Sequence, residues 1–215
     1  MRMLSRVTLI AMTLLCAATG LAQQEASPSK PAESRLFDFP VAVAQARRVI
    51  AFDFPIAGSR YHVARNGLGN RTDGDSPAKV FNLHLSKGDF IRALYYTEYQ
   101  GDAVLLIEVS NGAYGAGFIV RVGGAIPDIK WKQAIPAINV GRGLVEGDAA
   151  YLSAMRFVAK VNLRSGTYAW RHGDLGRGDA FDAPALAGNT VLFPARRPSS
   201  MTVKADKQTG RILSP

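Results

Sequence analysis

From Leu36 onward the hydrophobic positions fall into short runs separated by Gly, Asn, Asp and Pro. The runs IRALYYTEY, AVLLIEV, GFIVRV, AAYLSA, FVAKVNL, NTVLF and MTVKA are rich in β-branched and aromatic residues. Runs of that length, bounded by turn formers, read as β-strands. Helical spacing of apolar residues appears weakly, around Val41 to Arg48, so the expectation is an all-β domain.

The runs also repeat in order. Gly101-Asp102 leads into AVLLIEV, GFIVRV and then Trp131; Gly147-Asp148 leads into AAYLSA, FVAKVNL, Ser165-Gly166 and Trp170. Gly188-Asn189 leads into TVLF, MTVKA, Thr209-Gly210 and Ile212. Trp131 and Trp170 are 39 residues apart, and Gly166 and Gly210 are 44 apart. Periods near ~40–45 residues belong to four-stranded propeller blades. In such a unit Gly-Asp or Gly-Asn starts a strand with a tight turn, and Gly166 or Gly210 supplies the positive φ of a later one. The tryptophan of one unit can then pack on the next, because a lone unit cannot bury both faces. Trp131, Gly166, Trp170 and Gly210 are therefore the structural repeat positions.

The segment VEGDAAYLSAMRFVAKVNLRSGTYAWRH resembles the repeat of quinoprotein-like propellers, the PQQ-like repeat. Val161-Asn162-Leu163, Ser165-Gly166 and Trp170 match its pattern; Val203, Thr209-Gly210 and Ile212 match less closely, with Ser214 where Trp would stand. Around Val120-Arg121-Val122 and Trp131 the Thr-Gly turn is missing. The resemblance covers about residues 90–215 and implies a small or partial β-propeller of about 40-residue, four-stranded repeats. Residues 35–87, which contain Phe-Asp-Phe-Pro twice, are left for a divergent fourth unit or a hairpin cap. Ring closure, by the N-terminal segment or by a second chain, stays open.

The N-terminus changes the setting. Arg2 and Arg6 precede an apolar stretch from Val7 to Ala18, and Gly20-Leu21-Ala22 places small residues before a cut ahead of Gln23. Residues 1–22 read as a secretory signal peptide, which implies a periplasmic or extracellular protein. The apolar core is shorter than the ~20 residues of a membrane span, so no span is expected after cleavage. Residues 23–35, with two prolines and no apolar periodicity, read as a flexible linker, and 36–215 as the repeat domain. Cys16, the sole cysteine, leaves with the signal, so neither disulfides nor catalytic thiols are expected. The net charge of +9 is scattered and lacks a basic run, which argues against nucleic acid as partner.

Candidate chemistry is sparse. His62, His84 and His172 lack metal-ligand spacing among themselves. Asp73-Gly74-Asp75 resembles the start of a calcium loop without its later acidic ligand. Gly112 to Gly117 has no following Lys-Ser/Thr to hold a phosphate. Asp102, Asp148, Asp174, Asp179 and Asp182 sit where turns form. No catalytic residue, metal site or cofactor is assigned. Three functions stay in play: a non-catalytic protein-binding or scaffold module of the cell envelope, a quinone-dependent oxidoreductase or small-ligand-binding propeller, and a half-propeller completed by dimerisation. The resemblance would bring PQQ with calcium to the second, though no residue matches its catalytic positions. The expected partner is another envelope protein or a second copy.

Overall fold

In the computed structural model, residues 33–45, 48–175, 180–196 and 202–214 are described; the signal segment and most of the expected linker lie outside them. Among these residues all regular structure is β. The first sheet contains β2 (Val41–Gln45), β3 (Arg48–Ile56), β4 (Ser59–Ala64), β5 (Leu68–Asp73) and β6 (Lys79–Asn82). The second contains β7 (Phe90–Tyr99), β8 (Asp102–Ser110), β9 (Gly115–Gly123) and β10 (Asp128–Ile135). In the third, β1 (Ser34–Leu36) lies beside β11 (Leu144–Glu146), followed by β12 (Ala149–Ala154), β13 (Phe157–Asn162) and β14 (Tyr168–His172). The fourth contains β15 (Ala185–Ala187), β16 (Thr190–Phe193), β17 (Val203–Asp206) and β18 (Ile212–Ser214). Every pairing is antiparallel, and apart from β1 each sheet is a meander in chain order. Four such sheets in sequence form a partial propeller.

Three apolar clusters join the sheets pairwise. Phe54, Tyr61 and Phe81 of the first pack with Leu105, Phe118 and Val120 of the second. Leu106 and Ile119 meet Leu152, Phe157 and Val161 of the third, while Tyr151, Val158 and Trp170 meet Val191 and Phe193 of the fourth. Among the described residues no such cluster joins the fourth sheet to the first, and these four sheets form an open array. Residues 41–82 are thus a full fourth unit with a divergent sequence. The weak helical spacing at Val41 to Arg48 is overridden there. Val41 and Val43 alternate with alanines as β2, which turns back into β3.

A cation placed at one register repeats in every sheet. Arg71, Arg121, Lys160 and Lys204 lie opposite Tyr61, Val104, Tyr151 and Leu192, the third residues of β4, β8, β12 and β16. The first three reach into the following sheet. Arg71 donates to the Gly124 carbonyl (2.8 Å), Arg121 to Leu163 (3.5 Å) and Lys160 to Lys207 (2.8 Å). These acceptors occupy one position, immediately after β9, β13 and β17, so each unit is latched to the next. Two latches are reinforced by tryptophan: Trp131 and Trp170 stand opposite Arg121 and Lys160. Their indole N–H groups donate to the same Leu163 and Lys207 carbonyls, at 3.1 and 3.2 Å. A Cβ on Gly166 would lie 2.5 Å from the Trp131 ring, and one on Gly210 2.5 Å from that of Trp170. Glycine is therefore needed at both turns for close approach as well as for positive φ.

The N-terminal residues form a strap along the inner edges of three sheets. β1, which takes in Ser34 and Arg35 from the end of the expected linker, pairs with β11 of the third. Asp38 exchanges backbone hydrogen bonds with Tyr96 of the second, and β2 completes the first. Phe37, fully buried between the second and third sheets, anchors the strap.

Candidate interaction face

The outward face of the first sheet departs from the repeat. The second and fourth residues of β8, β12 and β16 are Ala103 and Leu105, Ala150 and Leu152, and Val191 and Phe193, all fully buried. Their cross-strand partners are Val122 and Val120, Val161 and Ala159, and Ala205 and Val203, buried as well. In the first sheet these positions hold Arg60 and His62, paired with Thr72 and Asn70. None of the four is buried. Among the described residues no sheet packs in front of it, so an apolar face here would stand in water, and polar residues remove that cost.

The face is nonetheless not simply polar. One row runs Val41, Asp53, His62, Asn70, Val80 across all five strands. His62 Nδ1 lies 2.7 Å from an Asp53 oxygen at its centre, with both side chains about two-fifths exposed. The valines at its ends are 71% and 69% exposed, and Leu68 on β5 is 47% exposed. A groove of about 780 Å³ adjoins the row, lined by Val41, Asp53, Pro55, Arg60, Thr72 and Asp75. The face thus combines separated exposed aliphatic side chains with a central Asp53–His62 pair and an adjoining groove.

A smaller cleft of about 460 Å³ opens between the third and fourth sheets. There Lys207 Nζ is 2.5 Å from one Glu146 oxygen, and the Tyr151 hydroxyl donates to the other at 3.2 Å. Burial, then the Glu146 charge, pushes the Tyr151 phenol up, while burial pushes Lys160 down. These groups satisfy one another across the latch, so the cleft reads as part of the joint.

The other sequence candidates are dispersed. His172 Nε2 lies 2.8 Å from the Gly210 carbonyl and pins that turn; His84 lies in a loop, exposed, at φ +50°. Asp73 takes Ser59, Arg71 and Lys79 rather than forming a calcium loop, and these donors hold its carboxyl well below the usual range, Lys79 first. Gly112 to Tyr114 lie in the turn from β8 to β9, with Asn111 Oδ1 accepting from Ala113 and Tyr114 N–H groups, and Gly115 to Gly117 begin β9. Asp102 is buried against Arg121 at 2.6 Å. Asp148, Asp174 and Asp182 pair separately with Arg164, Arg156 and Arg196, and Asp179 lies outside the described residues. Among the described residues no group of three His, Cys, Asp or Glu is placed to hold a metal ion.

No family model matches the chain, and no curated protein does. Among solved structures, the chain is similar to BamB from Moraxella catarrhalis. The identity is 14% and the TM-score 0.37, over 86% of this chain and 66% of that one. This chain spans just under two thirds of that protein's length. Among the described residues no helix is long and apolar enough to cross a membrane.

Two features escaped the sequence reading: the repeated cation and the polar substitutions on the first sheet. Aligning Tyr61–Arg71 with Tyr151–Lys160 by strand position would have exposed both. The 50-residue step from Arg71 to Arg121 hid that register.

Proposed function

We propose that the chain is an exported, non-catalytic protein-binding module of the cell envelope that engages its partner through the outward face of the first sheet. The observation that carries this reading is the change at Arg60, His62, Asn70 and Thr72, polar at positions buried and apolar in the other three sheets, between Val41 and Val80. The four-sheet arc serves as the rigid support for that face.

A half-propeller closed by a second copy is disfavoured by the same residues. Closure would bury Arg60 and the Asp53–His62 pair against another sheet, and desolvating such groups costs several kcal/mol per unmatched charge. Native mass spectrometry of the exported protein, released gently from its own envelope, tests the proposal. The expected species is a complex with a different protein. A bound quinone mass would move the function to redox chemistry, and a bare homodimer would move it to ring closure.

A further inference from the structure

Among the described residues eight strands form the edges of the four sheets, and seven are blunted. β6, β7, β10, β14 and β1 carry charge through Lys79, Arg92, Lys130, Arg171 and Arg35, while β15 and β18 are three residues long. Charge and shortness are the ordinary protections of an exposed edge. β2 has neither. It is five residues of Val-Ala-Val-Ala-Gln, all exposed except the half-buried Val43, and among the described residues nothing pairs with its far side. Strand addition at an inner edge is already used within the molecule, where β1 adds to β11 and β2 to β3.

We propose that β2 is a strand-addition site, at which an extended, uncharged segment of a partner protein, about five residues long with aliphatic or threonine side chains at alternate positions, pairs with Val41–Gln45. The proposal rests on the first sheet being the contact surface and specifies how it is used. The edge supplies main-chain hydrogen bonds. On the outward face, the segment's alternate side chains would extend the row that begins at Val41 and passes through the Asp53–His62 pair. The absence of charge along β2 selects for an uncharged segment, since a charge facing the alanines and valines would be desolvated unpaired. A second copy is the weaker occupant, because two exported chains, each still +7 once Arg2 and Arg6 leave with the signal, repel one another.

The test uses a capped, fluorescent peptide of three Thr-Val repeats, followed by anisotropy and by amide hydrogen exchange. Saturable binding is expected, together with slowed exchange at Val41–Gln45. Affinity should fall at least tenfold when the peptide's amides along one edge are N-methylated. The same loss is expected for Val41→Lys and Ala44→Lys, whose exposed side chains leave folding intact. The absence of saturable binding, insensitivity to N-methylation and the lysines, or protection at a different edge would each overturn the proposal. So would a homodimer that Ala44→Lys dissolves, which would make the occupant a second copy. If a probe placed at His62 cross-links a partner while the peptide does not bind, strand addition fails and the contact face stands.

Discussion

Gly210→Ala probes the joint between the third and fourth sheets. Gly210 has φ +75°, where an L-residue costs roughly 1–2 kcal/mol. The added methyl would also lie 2.5 Å from Trp170 Cγ and 2.7 Å from Cδ2. The ring must move, and overpacking of that kind costs about 1–3 kcal/mol. The sum is about 2–5 kcal/mol, or roughly 4–20 °C in Tm for a chain of this size. Gly188→Ala is the control. Its φ is +57° but nothing lies within 4 Å of the new methyl, so only the backbone cost of roughly 1–2 kcal/mol applies. Gly166→Ala should match Gly210→Ala, since Trp131 stands over it at the same 2.5 Å. Urea unfolding followed by tryptophan emission reads the effect directly, because the chain's two tryptophans are both latch residues. If Gly210→Ala costs no more than Gly188→Ala and leaves the emission unchanged, Trp170 does not stack on that turn and the latch is wrong.

Arg121→Met should cost about 3 kcal/mol in urea unfolding, because it leaves Asp102 buried with only Lys130 at 3.6 Å; changing Asp102 to Asn as well should restore part of the loss. Phe37→Ala should cost about 3–5 kcal/mol and bring early proteolytic cleavage within residues 34–45, since it removes the anchor of the strap. Asp73 gives a pH dependence: its folded carboxyl lies below the unfolded value of about 3.9, so its contribution is complete above that pH and is lost as pH falls through the folded value. The destabilisation caused by Asp73→Asn should therefore be equal at neutral and mildly acidic pH and shrink below about pH 4, as urea midpoints along a pH series would show.

Much of the arc was legible because its repeat leaves local marks. Gly147-Asp148 and Gly188-Asn189 precede strands, and short apolar runs bounded by turn formers mark the strands between them. The first sheet was harder to read. Its cation position holds Arg71, but its tryptophan position holds Lys79 and its outward face is polar, so neither hydrophobicity nor motif marked it. The strap was invisible for a different reason. Phe37-Asp38-Phe39-Pro40 looks the same as Phe52–Pro55, yet one segment crosses sheet edges and the other lies within β3. Long-range pairing chose between them, and no local pattern encodes that choice. The contact face shares this property, since its residues become a surface only when no neighbouring sheet covers them.

Photo-cross-linking in the native envelope tests the contact face most directly, with a photoreactive residue at His62 or Val80 and a control at Lys204 on the fourth sheet. The account predicts a discrete adduct with another protein from His62 and Val80 and none from Lys204. Adducts from Lys204 alone, or none from the first sheet, would contradict it.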